Sequence, residues 1–232
     1  MATVYVQNCS GGLFEHDAVG MRIVCAAGAM AHVTTSASTI VHGMPTGAAI
    51  QDVRIDTGAR SLLEYLPDPT ILFPDAHLDN RVRVGLHPDA RVMLWDAVVT
   101  HDPSAKGRSF KNLRNDLIIE SASGDLLARD RWRMTSDCAG RALTGVMGAY
   151  CCQGSFLALG RGACEPTLLD ALRTALLAHS GVYAGASALP HGSGTIVRML
   201  ATEAAALRRA LFAVWDAARQ ALSAVKGVAR RK

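Results

Sequence analysis

Three segments of this chain repeat one plan about thirty residues apart, and no other feature narrows the fold as much. Each is an alternating strand carrying an arginine, a tight turn containing alanine, and a second, more apolar strand. The first runs through Met21-Arg22-Ile23, turns at Gly28-Ala29 and continues as Ala31-His32-Val33-Thr34-Thr35. The second is Val53-Arg54-Ile55, Gly58-Ala59 and Leu62-Leu63-Glu64-Tyr65-Leu66. The third is Val82-Arg83-Val84, Pro88-Asp89-Ala90 and Val92-Met93-Leu94-Trp95. One such unit cannot bury its own apolar face, so the recurrence predicts units stacked into a solenoid-like β scaffold. That scaffold offers broad surfaces and no ready-made catalytic cleft, which points first to a binding protein.

Residues 3 to about 135 read as β throughout, with Thr, Val, Ile and Leu alternating with polar residues between Gly and Pro turn signals. Ser121-Ala122-Ser123-Gly124-Asp125 has the composition of a hairpin turn. The small, apolar stretch from Gly140 to Gly162 predicts buried strands around Val146 and Phe156-Leu157-Ala158-Leu159. Two helices follow. Glu165-Pro166 opens the first, whose Leu168, Leu169, Leu172, Leu176 and Leu177 share a face before Gly181. Gly185 to Gly194 reads as a flexible link or one more short strand. The second helix is expected from Thr202, as N-cap, to about Gly227, with Leu200, Leu207 and Val214 recurring every seven residues and Leu211, Trp215 and Leu222 widening the stripe. Such a stripe usually packs on the protein's own sheet. Its sharper meaning is a docking face, which makes Leu207, Leu211 and Trp215 candidate partner contacts. The expected architecture is mainly β: a stacked, solenoid-like sheet scaffold with two α-helices in the C-terminal region. A single domain is expected over residues 1–232, β-rich over 1–162 and helical in 163–232.

With 50% hydrophobic and 19% charged residues, the 232-residue chain has ample material for a core. Its net charge of +4 resides partly in Lys226, Arg230, Arg231 and Lys232, which read as a solvated end. No basic stripe with interleaved aromatics occurs, so no nucleic-acid partner is expected. The start, Met1 to Ser10, lacks the charged and apolar regions of a signal peptide. No apolar run reaches the roughly 18 residues of a membrane span, so no membrane partner is expected and a cytoplasmic location is the default. The six cysteines show no CxxC spacing and read as reduced thiols.

Residues able to carry chemistry are scattered. His16-Asp17 and His101-Asp102 invite a metal-dependent hydrolase reading, but neighbours on a strand point to opposite faces and rarely share an ion. His32, His42, His77 and His87 add imidazoles without close spacing. Gln153-Gly154-Ser155-Phe156 is half a nucleophile elbow, and Gly160-Arg161-Gly162 lacks the Lys-Ser/Thr of a phosphate loop. No active site emerges, and the expectation is a protein that is not an enzyme.

Asn8-Cys9-Ser10-Gly11-Gly12-Leu13-Phe14-Glu15-His16-Asp17 resembles the N-x-[TS]-G-G-hydrophobic-x-G-D opening of the urease accessory protein UreD, called UreH in some organisms. Val33-Thr34-Thr35-Ser36-Ala37-Ser38-Thr39 is similar to that family's L-T-T-x-A-x-T strand. Leu63-Glu64-Tyr65-Leu66-Pro67-Asp68, continuing to Ile71-Leu72-Phe73, resembles its L-E-[YW]-L-P-[DQ]-x-x-I motif. Arg81 to Asp96 follows its next strand, turn and strand, and Gly194 to Arg198 with Leu211 to Arg219 resemble its closing helix. The motifs arrive in family order from Asn8 to Arg219.

The resemblance implies a mostly β, non-enzymatic protein that binds apo-urease and UreF, recruits the GTPase UreG and helps deliver nickel. It implies no tightly bound cofactor, only nickel as transient cargo. A relay needs weak polar contacts along a passage, because tight ligands trap the ion. Asp17 and His101 are the candidate weak metal contacts, and Glu64, Tyr65 and Asp68 join the helix residues as candidate partner contacts. Asp17 is also expected to brace the turn after Gly11-Gly12. Roughly fifty further residues of strands precede the opening motif in the family, so a bare sheet edge is expected here. Glu15-His16 stands where the family has a Gly pair, so a different turn geometry is expected. His101-Asp102 and Lys106 to Phe110 stand where it has Gly-Arg and Gly-Glu-x-[FW]. Two rival readings are a metal-dependent hydrolase built on His16, Asp17, His101 and Asp102, and a degenerate β-rich partner-binding protein outside urease maturation.

Overall fold

The computed structural model describes residues 1–137 and 145–228. After a short strand, β1 (Ala2–Val6), the chain winds through three coils. The first holds β2 (Ala18–Cys25), β3 (Met30–Thr35) and β4 (Thr39–Val41). The second holds β5 (Ala49–Thr57), β6 (Leu62–Tyr65) and β7 (Thr70–Leu72), and the third β8 (His77–Leu86) and β9 (Arg91–Thr100). Equivalent strands of successive coils pair in parallel, and the repeat read in the sequence is the register of that pairing. Arg22 lies opposite Arg54, and Arg54 opposite Arg83. Met30, Leu62 and Arg91 stack likewise in the other sheet.

The remaining strands close this solenoid-like scaffold. Strand β10 (Asn112–Ser121) adds in parallel to β8, and β11 (Leu126–Thr135) returns antiparallel through the predicted Ser121–Asp125 turn. Next come β12 (Cys152–Gly160), α1 (Pro166–Leu176), β13 (Val182–Ala188), β14 (Gly194–Ala201) and α2 (Ala204–Ser223). The result is a nine-stranded sheet, β1-β3-β6-β9-β12-β14-β13 with β4 and β7 attached beside β9, facing a five-stranded sheet, β11-β10-β8-β5-β2. The protein is mainly β with two helices near its C-terminus, as expected.

Burial follows strand alternation. Val53, Ile55 and Val84 point from the five-stranded sheet onto Leu63, Val92 and Leu157 of the other. On the far side of the nine-stranded sheet, Met93, Trp95 and Phe156 meet the helices. This sheet is covered on both faces, which explains why β9 reads as the near-continuous apolar run Val-Met-Leu-Trp. The outer face of the five-stranded sheet is wet and charged. There the stacked arginines are relieved by carboxylates: Asp56 accepts from Arg22 Nε at 3.0 Å and from Arg54 Nε at 3.1 Å. Burial opposes ionisation of Asp56, but these two guanidinium groups hold its carboxyl below the usual range. The coils close tightly at Gly58, where a Cβ would stand 2.5 Å from the Ala27 nitrogen, so only glycine fits.

Several local expectations are revised. Glu203, not Thr202, is the N-cap of α2, and the helix ends at Ser223 before Ala224 takes a left-handed φ of 57°. Val146 lies in an exposed turn and not in a buried strand, and residues 140–144 of that stretch lie outside the described residues. Of the two readings of Gly185 to Gly194, the short strand holds for its first part, since Gly185 to Ala188 belong to β13. At Glu15-His16, His16 adopts φ 66°, in the left-handed region that favours glycine, and the Glu15 carboxylate accepts the amides of Gly47 and Thr46, which hold its pKa down. Strands β1 and β2 end their sheets on the same side of the scaffold, with Val4, Tyr5 and Val19 exposed along them.

Candidate functional site

A cavity of about 480 Å³ opens between the two sheets at the first-coil end. Its wall is built from three separate stretches: Asn8 to Leu13, Thr35 to Ile40, and the Tyr65, Pro67 and Asp68 group. At the mouth, Asn8 Oδ1 accepts the Ser10 amide at 3.0 Å, and the Ser10 hydroxyl donates to the Gly12 carbonyl at 2.7 Å. Thr35 and Asp68 are tied together, with the Asp68 amide donating to Thr35 Oγ1 at 2.8 Å. Thr35 is the last residue of β3, and Asn8, Ser10 and Asp68 lie in the segments that follow β1 and β6.

Deeper in, the floor is polar where an apolar core would be expected. Asp96 of β9 accepts from Asn115 Nδ2 of β10 at 2.8 Å and from the Ser155 amide of β12 at 3.1 Å. Asn115 Oδ1 in turn accepts from Asn80 Nδ2 at 2.6 Å. Beside this chain, buried Asp130 of β11 is paired with Arg198 of β14, a second bridge from sheet to sheet. Burial, reinforced by the nearby Asp130 carboxylate, pushes the Asp96 carboxyl up from 3.8 to about 6.

That shift gives a signed prediction. A carboxyl whose folded pKa is raised stabilises the fold fully below about pH 4, and loses that contribution as pH rises through 6. Asp96→Asn removes the charge and keeps the shape. The amides of Asn115 and Asn80 can both rotate to serve it, because Asn80 Oδ1 lacks a partner and becomes an acceptor. Thermal melting at pH 7 is expected to show a stabilised variant, by an amount on the order of 1–3 kcal/mol, with a flatter dependence between pH 4 and 7. A variant no more stable than the parent at pH 7 contradicts this account.

The sequence-predicted residues fall in different places. Asp68 and Tyr65 line the cavity, but Tyr65 is buried among core side chains and burial raises its phenol pKa. Glu64 is fully buried on the helix-covered face of β6. Its carboxylate takes His32 Nδ1 at 2.6 Å on one oxygen and lies 3.1 Å from Arg219 Nε on the other, while Arg219 sits 5.4 Å over the Trp215 ring. Glu64 and Tyr65 are therefore buried and not surface contacts for a partner, a correction that follows from a strand covered on both faces. Leu207, Leu211 and Trp215 are also turned inward, against the nine-stranded sheet, so the stripe of α2 packs on the protein's own sheet.

The two His-Asp pairs are not brought together. Asp17 closes the turn into β2 by accepting the Phe14 amide at 2.8 Å, which is the bracing role expected of it. His101 is exposed just after β9, two coils further on. Asp102 accepts the Ser104 hydroxyl and the amides of Arg108, Ser104 and Lys106, which hold its carboxyl down at about 2. Among the described residues no three His, Cys, Asp or Glu side chains group as a metal site, so the hydrolase reading has no assembled centre. His42 and His101 alternate with Phe14 and Phe73 in a ladder of rings on successive coils, with centroids 4.4, 5.5 and 5.8 Å apart.

A family model described as UreD urease accessory protein matches residues 1–232. The chain belongs to the UreD family. Similar relatives include urease accessory protein UreD 1 of Pseudomonas syringae pv. syringae (strain B728a), 40% identical over 232 residues, covering 100% of this chain and 81% of that protein. UreD 1 of Methylorubrum extorquens (strain PA1) is 36% identical over 236 residues, covering 100% and 78%. UreD of Haloarcula marismortui is 33% identical over 218 residues, covering 94% and 72%. The three UreD-like motifs Asn8 to Asp17, Val33 to Thr39 and Leu63 to Asp68 all reach the wall of the one cavity. Asp96, Asn115 and Asn80, which make its floor polar, escaped sequence reasoning. The available signal was a lone Asp inside the apolar strand Leu94-Trp95-Asp96-Ala97-Val98.

Proposed function

We propose that this UreD family member is a non-catalytic scaffold of urease maturation, acting in the cytoplasm, that binds apo-urease together with UreF and UreG while nickel passes to the enzyme as transient cargo. The observation that carries this reading is the convergence of the UreD motifs on one cavity between the sheets, largely apolar in its walls and crossed at its floor by the polar chain of Asp96, Asn115 and Asn80. Its amide, hydroxyl and carboxylate groups are spaced along a wall and are not gathered round a point. Oxygen and nitrogen ligands met one or two at a time hold a divalent ion weakly and let it move on. Asp96 is the one carboxylate in the polar floor chain of Asp96, Asn115 and Asn80, and at neutral pH it supplies negative charge to a passing cation. The docking surfaces for partners then lie outside α2's inward stripe.

Asp96→Asn tests the passage. Co-expressed with apo-urease, UreF and UreG, the variant is expected to fold and co-purify with them while the nickel content of the recovered urease falls. Full nickel loading by a folded Asp96→Asn protein contradicts a role for this carboxylate in passage.

A further inference from the structure

Adjacent residues on an extended strand point to opposite faces, so neighbouring cysteines normally keep their thiols apart. Cys151 and Cys152 do not. Cys152 is the first residue of β12, paired with Val99 and Ala201, whereas Cys151 lies just before the strand. The two Sγ atoms are 3.6 Å apart. We propose that Cys151 and Cys152 form a binding site for one thiophilic cation of the zinc and cadmium class, separate from the cavity between the sheets.

The spacing selects the ion's geometry. A tetrahedral ion with metal–sulfur bonds of about 2.3 Å holds two thiolates about 3.8 Å apart, and a linear one about 4.6 Å apart. The observed separation matches the tetrahedral case with almost no movement. Cys151 is exposed and Cys152 buried, so an ion reaching the outer sulfur touches the inner one at once. The Thr202 carbonyl, which accepts the Cys151 thiol at 3.0 Å, supplies an oxygen beside the pair. Burial, the Cys151 sulfur and the charge of Glu203 push the Cys152 thiol up to about 12. The Glu203 charge that disfavours a thiolate favours an arriving cation. Binding forms two metal–sulfur bonds, releases the thiol protons to solvent and involves no change of oxidation state, so affinity rises with pH.

Cadmium alone, titrated into the full chain with Cys9, Cys138 and Cys164 replaced by serine, tests this through the ultraviolet thiolate-to-cadmium band. Saturation at one cadmium per chain is expected, with loss of the band in both Cys151→Ser and Cys152→Ser. Cys151 is exposed, so its serine variant keeps the test decidable if Cys152→Ser fails to fold. No band in the three-serine chain, an unchanged band in Cys151→Ser, or one cadmium per two chains overturns the proposal.

Discussion

Leu207→Asp is expected to unfold the protein, and not merely to strip it of a partner. Leu207 is fully buried between α2 and the nine-stranded sheet, close enough to Gly154 that a Cβ there would stand 2.8 Å from Leu207 Cδ1. Truncating such a leucine costs about 2–5 kcal/mol, and placing a carboxylate in the same apolar site adds several more. Domains of this size are stable by only about 5–15 kcal/mol, so the sum removes most or all of it. Circular dichroism of purified Leu207→Asp should show loss of the cooperative melt or an insoluble chain. A folded variant with a parental melt and selective loss of UreF would show that α2 presents this stripe to a partner after all.

Glu64→Leu is expected to cost about 3–5 kcal/mol, because it leaves the Arg219 guanidinium buried against the sheet without its counter-charge. Arg219 is only 15% exposed and Glu64 not at all, so water cannot replace the lost partner. His32 loses its Nδ1 acceptor at the same time. The pair joins β6 of the second coil to the last turns of α2, a contact between residues far apart in sequence. Urea unfolding of Glu64→Leu, Arg219→Leu and the double variant forms a cycle that isolates the pair. The double variant should recover much of the loss, since two apolar groups satisfy each other where one stranded charge does not. Single variants within about 0.5 kcal/mol of the parent would show that the cluster holds nothing together.

What the sequence revealed and what it hid follow from the same geometry. The three coils were legible because strand alternation has period two and each turn carries its own chemistry, as at Gly28-Ala29 and Gly58-Ala59. In-register stacking of Arg22, Arg54 and Arg83 then follows from a recurrence of about thirty residues. Glu64 was misplaced because a strand buried on both faces has no wet side, and a charged residue in it reads as surface until its partner, Arg219, is brought in from 155 residues away. The stripe of α2 was legible as apolar but not as to what covers it. The cavity floor was hidden for a third reason: Asp96, Asn115 and Asn80 come from three strands and meet only when two sheets face each other. No local pattern encodes that meeting.

The central claim, a scaffold of urease maturation, is tested most directly by co-expressing the tagged chain with UreF, UreG and apo-urease subunits and counting nickel in the affinity-purified material. Recovery of the complex, with nickel transferred to the urease subunits, is the predicted result. A folded, soluble chain that captures none of these proteins and leaves urease without nickel would contradict it.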